Sequence, residues 1–191
     1  MTHFSIIGSG NMGQAIAGIV SKGGSTVELF DTDDSAKPVT GDVVVLAVPY
    51  PAVSDILAQR GDQLKNKIVV DLTNPLDFET FDSLVVPADS SAAAEIAAAL
   101  PESKVIKAFN TTFAGTLAAG SVGPLTTTVL IAGDDVDSKA TLADVVTAAG
   151  LQAIDAGSLK RAREMEALGF LQISLAAGEK VSWTGGFGVA A

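Results

Sequence analysis

The strongest constraint on this chain lies at its start, where an apolar segment passes through a glycine-spaced turn into an amphipathic one. Phe4-Ser5-Ile6-Ile7 reads as a strand, and Gly8-Ser9-Gly10-Asn11-Met12-Gly13 as a tight turn. A helix follows from Asn11 to Lys22, with Met12, Ile16, Ile19 and Val20 on one face. Gly23-Gly24 stops it, as glycines past a helix end do. The alternation then continues along the chain. Strands are expected at Val27–Phe30, Val43–Val48, Lys67–Leu72, Lys104–Phe109, Thr126–Ala132 and Leu151–Ile154. Helices are expected at Ala52–Arg60, Ser90–Leu100, Asp137–Ala149 and Ser158–Ala177. Short continuous apolar strands alternating with helices imply an α/β class, a Rossmann-type doubly wound and mainly parallel sheet buried on both faces.

Only ten residues, Thr32 to Gly41, separate the second strand from the third, and Pro38 lies among them. That is a minimal crossover, too short for the usual helix, strand and second helix. The sheet is therefore expected to be shortened on the side of the second strand. Residues 1–157 read as one nucleotide-binding domain, and 158–191 as a C-terminal helix and tail packed on it or on a dimer mate.

Composition narrows the chemistry. The 191 residues include no cysteine, so thiol nucleophiles, disulfides and thiolate metal sites are excluded. The single histidine, His3, leaves no histidine triad or multi-histidine metal site, and no metal is expected. A formal charge of -10 disfavours nucleic acid and anionic lipid as partners. The longest apolar run, Val43–Val48, falls far short of the ~20 residues of a membrane span. The start of the chain lacks a basic leader, so a cytoplasmic protein is expected.

The turn spells G-x-G-x-x-G between a strand and a helix. Gly8 permits the tight turn, Gly10 lets a pyrophosphate approach the backbone, and Gly13 lets the helix lie close to the strand. Ser9, Asn11 and Met12 stand where helix N–H groups face an anion. This points to a dinucleotide. Asp31 closes the second strand 18 residues after Gly13, in place to accept from ribose hydroxyls. Asp33 and Asp34 follow, and the nearest base along the chain is Lys37. That charge pattern favours NAD over NADP, although Thr32 and Lys37 could hold a phosphate if Asp31 turned away. Ala47-Val48-Pro49-Tyr50-Pro51 and Asp71-Leu72-Thr73-Asn74-Pro75 end the third and fourth strands, where ligands of open α/β sheets lie. Ala108-Phe109-Asn110-Thr111-Thr112-Phe113 ends the fifth, and Asn110 and Thr111 are the candidates for positioning a nicotinamide.

With these segments in view the chain resembles the deazaflavin-coenzyme-dependent NADP oxidoreductase family. The wider group includes pyrroline-carboxylate reductases and the reductase domain of membrane metalloreductases. The resemblance rests on Ile7–Gly13, Asp71–Leu76, Val105–Thr111, Asp155–Leu159 and Arg161–Glu164. It implies a Rossmann domain that moves hydride between NADP(H) and a flavin-like or deazaflavin acceptor. By the same matching, Ser9, Gly10, Asn11, Met12, Thr32, Val48, Pro49, Asn74, Pro75 and Ala108 would hold the cofactor. Relatives carry a basic or small residue where Asp31 stands, so the choice between NAD and NADP stays open. The shortened segment after the second strand implies a less enclosed adenine pocket.

Hydride transfer between two stacked rings asks mainly for proximity and orientation. A chain whose charges are expected mostly on helix surfaces fits that reaction better than carbonyl reduction, which calls for a proton donor. Tyr50, Lys107 and Thr111 are the residues that could supply one. The alternatives are an imine or keto-acid reductase of pyrroline-carboxylate-reductase type and a dinucleotide sensor without turnover. The first normally carries a long helical domain, and only about 30 residues follow Gly157 here. The last helix is apolar nearly all round from Leu168 to Ala177, so it is expected to need cover on every side. With Trp183 and Phe187 in the tail, that pattern implies a homodimer; the other arrangement is a tail folded on its own domain.

Overall fold

The computed structural model describes residues 1–190, so Ala191, the last residue of the expected C-terminal extension, lies outside them. The strands are β1 (His3–Ile7), β2 (Thr26–Phe30), β3 (Val43–Leu46), β4 (Ile68–Asp71), β5 (Lys104–Ala108), β6 (Ser121–Val122), β7 (Leu125–Thr126), β8 (Thr128–Gly133) and β9 (Gln152–Gly157). The helices are α1 (Asn11–Lys22), α2 (Val53–Leu64), α3 (Ala92–Ala99), α4 (Ala114–Ala119), α5 (Val136–Ala148) and α6 (Ala162–Ala177). Seven strands form one sheet in the order β2-β1-β3-β4-β5-β8-β9. The first five in that order run parallel. β2 is an edge strand, as the short Thr32–Gly41 segment predicts, because that segment has no room for a further crossover.

Alternate residues of each central strand feed two cores. Phe4, Ile6, Val43, Val45 and Ile106 pack under α1 and α5 with Ile16, Val20, Leu142 and Val146. Ile7, Val44, Leu46, Val69 and Val105 pack under α2 and α3 with Val53, Leu64 and Ile96. Strands buried on both faces need apolar side chains at every position, which explains the unbroken Val43–Leu46 run.

Two features were not anticipated. Between β5 and β8 the chain forms the short helix α4 and the β6–β7 hairpin. Both lie at the carboxyl end of β5, so β8 returns antiparallel to it, and β9 pairs parallel to β8. The expected end of the third strand, Ala47-Val48, lies beyond β3, and a short turn of helix at Tyr50–Ala52 leads into α2. The last helix also begins later than expected, after a single helical turn at Leu159–Arg161.

Within the single chain, α6 is covered on one face. Its buried residues, Ala162, Met165, Glu166, Gly169, Gln172 and Ala176, make one face, whereas Leu171 is 51 % exposed. The tail folds back on its own domain, where Phe187 N–H donates to Gln172 Oε1 at 2.8 Å. No helix among the described residues is long and apolar enough to cross a membrane.

Candidate active site

The glycine turn owes its shape to two close approaches. Gly8 has φ +116°, and a Cβ there would lie 2.1 Å from the Ala47 carbonyl oxygen. A Cβ at Gly13 would lie 1.9 Å from the Gly8 carbonyl oxygen, which is why α1 can pack so close to β1. Gly10 differs. An added Cβ there would meet no protein atom within 4 Å, so the protein's own packing does not ask for glycine. Gly10 is the N-cap of α1, with no side-chain cap and no acidic residue in the first turn. By contrast α3 and α5 are capped by Ser91 and Asp135. A bare, glycine-lined helix start is chemically suited to an anionic group.

Two clefts flank this turn. One, of about 360 Å³, is lined by Gly8, Ser9, Asp31, Thr32 and Val48 among the expected residues, with Phe30, Ser35, Ile56 and Arg60. The Asp31 carboxylate is engaged in its own loop, with Oδ1 accepting from Asp33 N–H at 2.9 Å. Asp34 Oδ2 accepts from Asp31 N–H at 3.0 Å. Lys37, the base suggested by proximity in sequence, sits with its ammonium 4.3 Å from the centre of the Phe30 ring. Arg60 was missed in the sequence. It reaches the loop from α2 and donates to the carbonyl oxygens of Lys37 and Asp34, bringing a buried guanidinium to this cleft.

The second cleft, of about 680 Å³, lies on the other side of the helix start. Asn11, Met12, Asn74 and Asn110 line it together with Phe78, Phe81, Phe113 and Trp183. Asn74 Nδ2 donates to the Asn110 carbonyl at 3.0 Å, and Asn110 Nδ2 donates to Asn74 Oδ1 at 3.0 Å and to the Met165 carbonyl at 2.9 Å. Asn110 Oδ1 is buried without a hydrogen-bond partner. A buried acceptor left unpaired is costly, so a donor from a bound group would satisfy it. Asn110 follows Phe109, a buried non-glycine residue at φ +65°. Such strain collects where a site dictates the backbone. Gly169 of α6 allows the helix to approach the asparagine pair, since a Cβ there would lie 2.3 Å from Asn74 Oδ1.

The remaining expected residues stand outside both clefts. Ala47 packs against Gly8 and Gly13, Ala108 is wholly buried in the sheet, Pro75 is buried and Pro49 precedes the turn into α2. Thr111 is buried, and its carbonyl accepts from Gln172 Nε2 at 3.3 Å.

The expectation that charge stays on helix surfaces is corrected. Lys107 Nζ, fully buried, donates to Asp71 Oδ2 at 2.7 Å, Glu166 Oε1 at 2.8 Å and the Thr73 carbonyl at 2.6 Å. Glu166 in turn accepts from the N–H groups of Ala92 and Ala93 at the start of α3. Burial raises the Glu166 carboxyl above its ordinary value, against the opposing pull of Lys107 and the Ala92 N–H. Sequence pattern could not reveal this, because Glu166 sits in a helix segment rich in exposed charges. Tyr50 donates to Glu95 in a separate groove between α2 and α3. Burial, the Glu95 bond and the carboxylates around it push the Tyr50 hydroxyl well above its ordinary value, making it a poor proton donor. Among the described residues lining the larger cleft, none is Asp, Glu, Lys, Arg, His or Tyr.

Comparison with known proteins identifies the family. The model of the family described as NADP oxidoreductase coenzyme F420-dependent matches residues 24–75. The F420-dependent NADP reductase of Methanocaldococcus jannaschii is 34 % identical over 160 residues, covering 82 % of this chain and 70 % of that protein. Metalloreductase STEAP3 of Rattus norvegicus is 30 % identical over 178 residues, covering 85 % of this chain but only 35 % of its own length. Among solved structures, a putative F420-dependent NADP-reductase from Arthrobacter sp. FB24 superposes with a TM-score of 0.85 at 24 % identity, covering 100 % of both chains, which shows the shared fold. A Rossmann-type sheet, an open glycine turn and these relationships place the protein: the chain belongs to the F420-dependent NADP oxidoreductase family, and so to the NAD(P)-dependent oxidoreductases.

Proposed function

We propose that this protein transfers hydride between NADP(H) and a flat flavin-like acceptor, a deazaflavin or flavin. The observation that carries the reading is the larger cleft, which abuts the helix start, has aromatic walls and is lined by no ionisable side chain. Such a cleft can hold two rings against each other and exclude water, but it offers no proton donor of its own. When bound, NADPH would supply a hydride, two electrons together with one hydrogen nucleus, and the second proton of the reduced acceptor would come from solvent. The chain's part is to bind and orient. Ser9, Gly10, Asn11 and Met12 would take the pyrophosphate, and Asn74 and Asn110 would fix the nicotinamide end. The unpartnered Asn110 Oδ1 is ready to accept from a carboxamide N–H. Asn11 and Met12 open α1 beside Gly10 and also line the ring cleft, so they would join the two halves of the site.

NADP is favoured over NAD because Asp31 is engaged in its own loop while Thr32, Ser35 and Arg60 line the same cleft. The hydroxyls of Thr32 and Ser35 could accept a 2′-phosphate, and the Arg60 guanidinium, although bonded to the Lys37 and Asp34 carbonyls, places a positive charge beside them against the carboxylates of Asp31 and Asp55. The imine-reductase alternative gains no support from a cleft without a proton donor. We infer in addition that two copies associate through exposed apolar groups that include Leu171, Phe187 and Val189. Light scattering at the mass of a single chain would overturn that association.

The reading is tested by titrating NADPH and NADH, then following NADPH consumption with FMN, FAD and a 5-deazaflavin as acceptors. Tighter binding of NADPH and steady turnover with a flavin or deazaflavin are expected. Binding without turnover by any of them would indicate a sensor, and no binding would overturn the reading.

A further inference from the structure

Trp183 is the only tryptophan in the chain, and it is 54 % exposed although its position is closely built. Its ring lies on Phe113, with centroids 5.0 Å apart and a tilt of 57°. The backbone beneath it is held close to α4: a Cβ at Gly115 would meet Thr184 Cγ2 at 3.0 Å and the Trp183 carbonyl oxygen at 3.1 Å. Gly185 N–H donates to the Ser182 carbonyl at 2.9 Å and closes the turn that carries the indole. A few residues on, buried Gln172 bridges the tail to the site. Its Oε1 accepts from Phe187 N–H at 2.8 Å, and its Nε2 donates to the Thr111 carbonyl at 3.3 Å. Gly186, at φ +116°, leaves no room for a Cβ, which would lie 2.7 Å from Gln172 Oε1. Thus a segment far from the glycine turn in sequence is tied to the loop after β5 and presents an indole, packed on one side, to the same cleft as Asn11 and Asn74.

We propose that Trp183 is the stacking wall for the acceptor ring, and that Gln172 is the positioning residue that holds it there. This rests on the reading of the cleft as the place where nicotinamide and acceptor meet. An indole fixed by its packing on Phe113 offers a flat surface at little ordering cost, and it selects a flat, electron-poor heteroaromatic ring over a small carbonyl or imine substrate. The C-terminal tail then sets acceptor choice, while the cleft after β2 sets dinucleotide choice.

Contact between an electron-poor flavin and an indole quenches the flavin's own emission, which supplies a direct readout. In the dead-end mixture of wild-type protein, NADP⁺ and oxidised FMN or 5-deazariboflavin, emission of the acceptor should fall as it binds. Trp183→Leu should abolish that quenching and raise the acceptor KM by about fivefold to tenfold, the range expected for one aromatic pair. The Kd for NADPH should not move. Trp183→Phe should restore much of the KM but not the quenching, since phenylalanine stacks without donating an electron. Gln172→Ala, checked for an unchanged unfolding transition, should lose quenching with the tryptophan still present.

Saturable turnover with unquenched acceptor, or quenching that persists in Trp183→Leu, would overturn the proposal and leave the hydride-transfer reading standing. So would a Trp183→Leu protein that changes mass in sedimentation together with its KM, because the indole would then belong to a contact between copies. If NADPH is bound but oxidised by neither acceptor, the hydride-transfer reading fails, and this proposal with it.

Discussion

The three glycines of the turn answer to different neighbours, and substitution should separate them. Gly13→Ala places a methyl against the Gly8 carbonyl, so it should cost about 1–3 kcal/mol of stability in urea denaturation. Gly10→Ala meets no protein atom, so the urea midpoint should stay while the Kd for NADPH rises about tenfold, equivalent to about 1.4 kcal/mol. A Gly10→Ala protein that binds NADPH normally would remove the phosphate role from that position. The buried ion cluster gives a second contrast. Lys107→Met leaves Asp71 and Glu166 facing each other without a cation and should destabilise by about 3–5 kcal/mol. Glu166→Gln keeps one acceptor oxygen where Lys107 and Ala93 N–H donate, gives up the one that Ala92 N–H uses, and leaves Lys107 with Asp71, so it should cost less than losing the cation. Equal losses in the two variants, read from urea curves, would mean that the cluster acts only through packing.

At the scale of elements, the carboxylates that tie α5 to the sheet make stability depend on pH. Asp135 caps α5 through Ser138 and pairs with Lys104 of β5, and these bonds lower its carboxyl to about 2. Asp155 of β9 accepts from Lys139 of α5 and from Gly157 N–H, and is held below its ordinary 3.8. A carboxylate lowered in the folded state contributes stability that is complete above the unfolded value and is lost as pH falls through the folded one. The melting temperature should therefore drop between about pH 4 and about pH 2, and less steeply in Asp135→Asn and Asp155→Asn. Glu166 has the opposite sign. Raised above 4.5, its contribution is present below that value and is lost as pH rises through the folded value. Glu166→Gln should flatten that higher limb without touching the acid one. The elements themselves were largely legible from periodicity: of the four residues on the face expected for α1, Ile16, Ile19 and Val20 are buried and Met12 is partly so. The short α4 and the β6–β7 hairpin were not, since runs of six and two residues carry no measurable period.

For the molecule as a whole, the C-terminal segment is the part whose role depends most on where it lands. The tail joins the site through Trp183 and Gln172 but contributes none of the buried residues of either core. Removing everything after Gly178 should therefore leave cooperative unfolding and NADPH binding in place while weakening the flavin-type acceptor. Thermal melts and separate titrations of the two ligands would check this. Loss of NADPH binding on truncation would show instead that the tail supports the glycine turn through Phe113.

Short-range chemistry let the sequence alone determine the α/β class, the edge position of β2, the turn at Gly8–Gly13 and the absence of thiol chemistry. An apolar period, a crossover too short to hold a strand, and a missing Cβ all act within a few residues of one another. Only the tertiary structure decided that Lys107, Asp71 and Glu166 form a buried cluster, that Arg60 reaches the loop after β2, and that the tail brings Trp183 to the cleft the asparagine pair lines. In each of these, partners far apart in the chain meet through strand register, helix packing or the return of the tail, and no local pattern records that encounter.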